Sequence, residues 1–192
     1  MIDKKIFSKL RKELEDKDLV REKLIINSRP IIKESKQAIY ALHKDSIAEA
    51  KKSIDSAKKA LNSLKDLIKN NPTLDVGAYN AALQEYTEAI TYYYFVTDGK
   101  LISNEDIDVD AENYLLGICD LTGELARRAV FCVVNDKFKE VTKIQSFVET
   151  IHNEFLEFEL RNGEIRKKSD SIKWNMKKIE EIMYDLKIRG KI

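Results

Sequence analysis

The sequence predicts an all-α protein, a single antiparallel bundle of about six to seven helices forming one domain over residues 1–192. Three observations carry this. Only two prolines and six glycines interrupt 192 residues rich in Lys, Glu, Leu, Ile and Ala, so few places force regular structure to stop. Apolar residues recur at steps of three and four, which keeps one face of a helix apolar. No stretch shows the two-residue alternation of a half-buried strand. A chain of this length buries roughly 70% of the surface its unfolded state exposes, enough for one core without disulfides or a structural metal.

The first helix is expected near residues 3–42, with Pro30 kinking it by removing an amide donor and crowding the preceding turn. The second, near 45–70, ends at Asn70, Asn71 and Pro72. The third, near 75–97, carries Tyr79, Leu83, Tyr86, Ile90 and Tyr93 on one face and stops at Asp98-Gly99. Tyr114, Ile118, Leu121 and Leu125 mark the fourth, near 110–134. Ile144, Val148, Ile151, Phe155 and Phe158 mark the fifth, near 136–160, closed by Asn162-Gly163. Ile172, Met176, Ile179, Met183 and Leu186 define the last, near 164–188, ahead of Gly190.

Composition narrows the setting. Cys119 and Cys132 form no CxxC pair and lie in an apolar helical segment, as buried free thiols of a reducing compartment do. The start is too charged for a signal peptide and no apolar run approaches the ~18–20 residues of a membrane span, so a cytoplasmic protein with no membrane association is expected. The net charge of +1 hides a pattern: residues 71–126 hold 11 Asp/Glu against one Lys, between basic flanks. Such an acidic island suits a metal-collecting centre beside an anionic polymer, though on this feature alone solvated helix faces of unequal charge are the simpler reading.

Two helices place acids where apolar spacing would put something else. On the third, Ala81, Glu85, Glu88, Tyr92 and Phe95 form a second stripe; on the fourth, Asn113, Gly117, Asp120, Glu124 and Arg127 or Arg128 do the same. Carboxylates three or four apart project from one side of a helix, so Glu85/Glu88 and Asp120/Glu124 converge if the helices are antiparallel neighbours. Mg²⁺ relieves the resulting repulsion with an octahedron of oxygens, and Mn²⁺ would substitute for it. Bound there, it would polarise a phosphodiester and activate water. The residues alone leave a second reading open, in which these acids are solvated or pair with neighbouring Lys and Arg.

Other patterns are less specific. Glu149-Thr-Ile-His152 has the E-x-x-H form of di-iron bundles, but His43 has Tyr40 three positions before it, so the second motif is missing and His152 is expected to be a hydrogen-bonding or interface residue. Arg21, Lys36 and Lys44 on the first helix, with Arg127 on the fourth, are cations able to follow a phosphate backbone; a solvated face is the alternative, and for Arg127 an ion pair with Glu124. Tyr92, Tyr93 and Tyr94 offer faces for unstacked bases, although core packing accounts for them more readily.

Four segments in order resemble the translin superfamily, in particular its translin-associated factor X branch in a compact prokaryotic form. They are Glu34 to Lys44 (ESKQAIYALHK), Leu83 to Ala89 (LQEYTEA), Tyr114 to Arg127 (YLLGICDLTGELAR) and Lys178 to Gly190 (KIEEIMYDLKIRG). The resemblance implies a helical fold assembling into a hollow homo-oligomer, an octamer, that encloses single-stranded RNA or single-stranded DNA. It further implies Mg²⁺-dependent endoribonuclease activity, with Glu85, Glu88 and Asp120 as catalytic metal ligands and Glu124 as a fourth ligand. Arg21, Lys36, Lys44 and Arg127 would then hold the nucleic acid. The alternative from another class is a non-catalytic single-strand-binding scaffold.

Overall fold

The computed structural model describes residues 3–71 and 77–192, which form seven helices: α1 (Lys4–His43), α2 (Ile47–Lys69), α3 (Gly77–Asp98), α4 (Asn104–Ile107), α5 (Ala111–Val134), α6 (Phe138–Leu156) and α7 (Glu164–Ile188). Among the described residues there is no strand. The expected break at Pro72 and helix start at Asp75 fall outside the described residues. Helix α1 runs unbroken through Pro30, whose ring lies on an exposed position.

Local chemistry sets the ends. Asp3 caps α1 by accepting the Lys5 amide (2.9 Å), and Asp110 caps α5 by accepting that of Asn113 (3.0 Å). The turns after α1 and α5 are closed by Asp45 and Asp136 at φ 57° and 55°, where a short polar side chain tolerates the left-handed region. The connection after the third predicted helix hides one more turn: Ser103 caps α4 through its hydroxyl, and Asp108 at φ 55° ends it. Tyr114 on α5 ties this loop down by donating its hydroxyl to the Ile102 carbonyl at 2.5 Å. The fifth predicted helix, expected to reach residue 160, stops at Leu156, and Phe158 folds back to set its ring 5.8 Å from Phe155.

The helices pack as two groups of three. Helix α1 lies against α2 and α3, α7 lies against α5 and α6, and α3·α5 is the main contact between the groups. Leu24, Ile31, Ala38 and Leu42 of α1 bury against Ile54, Ala57 and Leu61 of α2 and against Tyr86 and Tyr92 of α3, while Leu121, Leu125, Ile144, Ile172 and Ile179 fill the second half. The junction is close because Gly117 faces α3. A Cβ there would meet Thr87 Cβ at 2.7 Å and the Gln84 carbonyl oxygen at 2.8 Å. That approach sets α3 and α5 near enough for side chains one turn on, at Glu88 and Asp120, to share a space. The lower half of α1 behaves differently: Ile6, Phe7, Leu10 and Leu14 are exposed and touch nothing in the chain's core.

Candidate metal and nucleic-acid site

An open cleft of about 640 Å³ lies over the junction, walled by α1, α3, α5 and α7. Glu85, Glu88, Asp120 and Glu124 all line it, together with Lys36, Tyr40, Arg127, Ser171 and Asn175. The acid stripes of the two helices face one another, but α3 and α5 run parallel and not antiparallel as expected from the sequence: Asn113 at the start of α5 bonds Gln84 and Gly117 one turn on meets Thr87, so the two helices advance together.

The four acids are not equivalent. Glu85 accepts from Lys36 Nζ at 3.1 Å, and Asp120 from Lys168 Nζ at 2.5 Å, with Gln84 also reaching Lys168 at 3.4 Å. Glu124 holds His43 Nε2 through its Oε2, and Arg127 approaches the same oxygen at 3.6 Å. Glu88 is 8% exposed, and among the described residues neither of its carboxylate oxygens has a hydrogen-bond or ion-pair partner. Burial, reinforced by the charges of Asp120, Glu85 and Glu124 and only partly opposed by Lys168, pushes its pKa up to about 8. Glu124 moves the other way: its hydrogen bond to His43 holds it below the ordinary carboxylate value against the effect of burial, with Arg127 adding to the shift. Cys119, also on the cleft wall, is pushed up to about 12 by burial and is an inert thiol.

Three of the acids are turned onto cations, and among the described residues no three His, Cys, Asp or Glu side chains are gathered tightly enough to hold an ion as they stand. The donor set nonetheless fits Mg²⁺ by type. It is all oxygen, it includes a desolvated carboxyl with no competing partner, and Lys36 and Arg127 are surface side chains free to swing aside. Of the four basic residues expected to bind nucleic acid, Lys36 and Arg127 are at the cleft. Lys44 is outside it, with its ammonium 4.3 Å from the Tyr40 ring centre, and Arg21 lies about 22 Å along α1 from Lys36 at 1.5 Å per residue, paired with Asp18 at 3.2 Å.

Sequence reasoning missed Lys168 and His43. Lys168 stands in a run of charges on α7 that looks like a solvated face, and nothing local marks its reach to Asp120. In the sequence His43 stands out only for lacking an E-x-x-H partner; in the structure it is buried at the end of α1 between Glu124 and Tyr92. Tyr92 is thereby removed from any role in stacking bases, while Tyr93 and Tyr94 are half-buried and pack edge-on at 5.7 Å. His152, expected to be a hydrogen-bonding or interface residue, has a buried Nδ1 with no hydrogen-bond partner among the described residues.

A model of the translin family matches residues 19–190. The chain belongs to the translin family. The translin-associated protein X homolog of Schizosaccharomyces pombe is 31% identical to this translin-family chain over 197 aligned positions, 91% of this chain and 84% of that protein. Translin of Gallus gallus is 40% identical over 82 residues, a match spanning 43% of this chain and only 36% of that protein's length. The fold is that of apo-NeC3PO (TM-score 0.85, 24% identity, covering 96% of this chain and 97% of that one) and of AfC3PO in a complex with duplex RNA (TM-score 0.86, 24% identity, 95% and 97%). No described helix of this translin-family chain is long and apolar enough to cross a membrane.

Proposed function

We propose that this translin-family protein is a Mg²⁺-dependent endoribonuclease that hydrolyses phosphodiester bonds of single-stranded RNA inside a hollow homo-oligomer, an octamer, in the cytoplasm. The observation that carries the reading is the convergence of Glu85, Glu88, Asp120 and Glu124 on one open cleft rimmed by cations. These four residues would hold the ion, with Mn²⁺ able to replace Mg²⁺. Once bound, it supplies Lewis-acid polarisation of the scissile phosphate and a more acidic water. Lys36 and Arg127, released from Glu85 and Glu124, would take the flanking phosphates, and Lys168 holds Asp120 in place. Asn175 Nδ2 is fixed on Thr122 Oγ1 at 2.9 Å, which holds its amide on the cleft wall beside Ser171. No side chain need act as nucleophile. Self-assembly is supported by the exposed Ile6, Phe7, Leu10 and Leu14 of α1 and by Trp174, Tyr184 and Ile188 of α7, apolar surfaces that a monomer would leave wet.

A second reading is favoured by a specific observation. Since Glu85, Asp120 and Glu124 are already paired with cations, the same cleft suits a non-catalytic scaffold binding single-stranded RNA or DNA, with structural acids. A structure of AfC3PO in a complex with duplex RNA is known, so duplex belongs among the substrates to try. End-labelled single-stranded and duplex RNA are incubated with the protein in Mg²⁺ or EDTA, alongside Glu88→Ala. Cleavage that requires the metal and vanishes in the variant, with RNA retention unchanged, supports the enzyme. Retention without cleavage in the wild-type protein establishes the scaffold instead.

A further inference from the structure

We infer that His43, oriented by Tyr92, is a positioning residue that presents one oxygen of Glu124 to the acidic cleft. The inference rests on the metal-binding reading above and adds two residues that lie behind the cleft rather than in it.

The geometry is a relay across three helices. His43 ends α1, is 9% exposed, and places Nε2 on Glu124 Oε2 of α5 and Nδ1 3.2 Å from the Tyr92 hydroxyl of α3. An ionised carboxylate only accepts, so the ring must donate through Nε2. In the neutral ring, Nδ1 is then the acceptor and the fully buried Tyr92 hydroxyl donates to it; in the charged ring the Tyr92 oxygen accepts instead, and the bond to Glu124 survives. The rings also pack against one another, with centroids 5.3 Å apart and planes at 58°.

The consequence falls on Glu124. His43 and Arg127 both take Oε2, and among the described residues Oε1 has no partner, although the residue lines the cleft. A carboxylate pinned by one oxygen keeps a fixed orientation for the other. Lys36 and Lys168 hold Glu85 and Asp120 from half-exposed or exposed positions. The tie on Glu124 is instead a buried ring with both nitrogens engaged, which is how a ligand is oriented rather than merely neutralised.

The test uses full-length protein and Mn²⁺ alone as the probe, with binding read by loss of the free-ion EPR signal and with fold checked by circular dichroism. Wild type, His43→Ala, His43→Gln and Tyr92→Phe are compared, along with RNA retention in EDTA. His43→Ala should weaken Mn²⁺ binding by on the order of tenfold, the lower end for removal of a residue that orients a ligand. His43→Gln, whose amide nitrogen approximates Nε2, should recover most of it, Tyr92→Phe should lie between, and RNA retention should not move. With only two histidines in the chain, ¹⁵N spectra of metal-free wild type in mildly alkaline buffer should show the His43 proton on Nε2. Wild-type Mn²⁺ affinity in a folded His43→Ala, no rescue by glutamine, or a proton on Nδ1 would each overturn the inference. If alanine prevents folding, Tyr92→Phe and the spectrum decide. Wild type that binds no Mn²⁺ overturns the metal reading and this inference with it, whereas binding that is lost in Glu88→Ala and unmoved by His43→Ala overturns the inference alone.

Discussion

Glu88→Gln should make the metal-free protein more stable, and increasingly so as pH rises. In the folded chain the carboxyl has its pKa raised from 4.5 to about 8 by burial and by three neighbouring acids. Unfolding returns it to the ordinary value, so between those two pH values the unfolded state has released a proton that the folded state retains. Stability therefore is full below the unfolded pKa, falls through this window and levels off above the folded pKa, the reverse of the usual acidic residue. At ~1.4 kcal/mol per pH unit the whole window is worth about 5 kcal/mol. Water entering the open cleft and movement of Lys168 reduce that, and roughly 2 kcal/mol or more should survive. Glutamine keeps the shape and removes the titration. Urea unfolding of both proteins in EDTA, at one protein concentration and at several pH values from 5 to 9, should give curves that diverge steadily, the variant gaining on wild type as pH rises. Saturating Mg²⁺ should reverse the order at the alkaline end, since an ion at a hundredfold its Kd adds about 2.7 kcal/mol to the form that binds it. A wild-type minus variant difference that stays within ~0.5 kcal/mol across the range would refute the claim that Glu88 is desolvated and unpartnered.

Three further outcomes follow from the packing. Gly117→Ala drives a methyl into Thr87 and the Gln84 carbonyl, so chemical denaturation should show a loss of about 1–3 kcal/mol, and Mn²⁺ affinity should fall with it because α3 and α5 separate. Arg128, 3% exposed, bonds the Leu42 carbonyl at 3.0 Å, Asp45 at 2.9 Å and Glu140 at 3.3 Å. Arg128→Met should cost about 2–3 kcal/mol, below the ~3–5 of a wholly buried pair because both acids are over one-third exposed, and RNA retention should stay unchanged. Lys36→Ala and Arg127→Ala should each lower the slope of log affinity for single-stranded RNA against log salt by about 1, while Arg21→Ala, far along α1, should leave it unaltered.

The helices were legible because their apolar spacing is a local property: Leu83, Tyr86 and Ile90, or Ile172, Ile179 and Leu186, are core residues in the structure as their period requires. The short α4 was not, since four residues between Ser103 and Asp108 carry no period and their signal is a cap. The turns at Asp45 and Asp136 were hidden for a related reason, because aspartate at positive φ is marked by neither Gly nor Pro. At the site, the two acid pairs announced themselves by spacing within one helix. Their partners did not. Lys168 and His43 lie 48 and 81 residues from the acids they hold; the first pairing is fixed by how α7 packs on α5, the second by how the two three-helix groups meet. Gly117 was visible as a glycine within the acidic stripe, but its meaning, a close crossing of α3 and α5, appears only with α3 beside it.

Charge pairing within the cleft also says which residue separates an enzyme from a scaffold. Glu85 and Asp120 each have a lysine from another helix, and Glu124 has the His43 ring and Arg127 of its own helix, so each is consistent with a structural pairing and none discriminates. Glu88 has no such partner, is nearly buried, and is surrounded by three like-charged neighbours. A fold selected only for stability would not place a carboxyl there, because a neutral side chain of similar size removes a desolvation term of several kcal/mol at no loss of contact. The position makes physical sense when something positive comes to occupy the cleft and turns the penalty into attraction. Stability and function therefore pull Glu88 in opposite directions, and a variant that gains the first while losing metal-dependent cleavage identifies the residue around which the site is built.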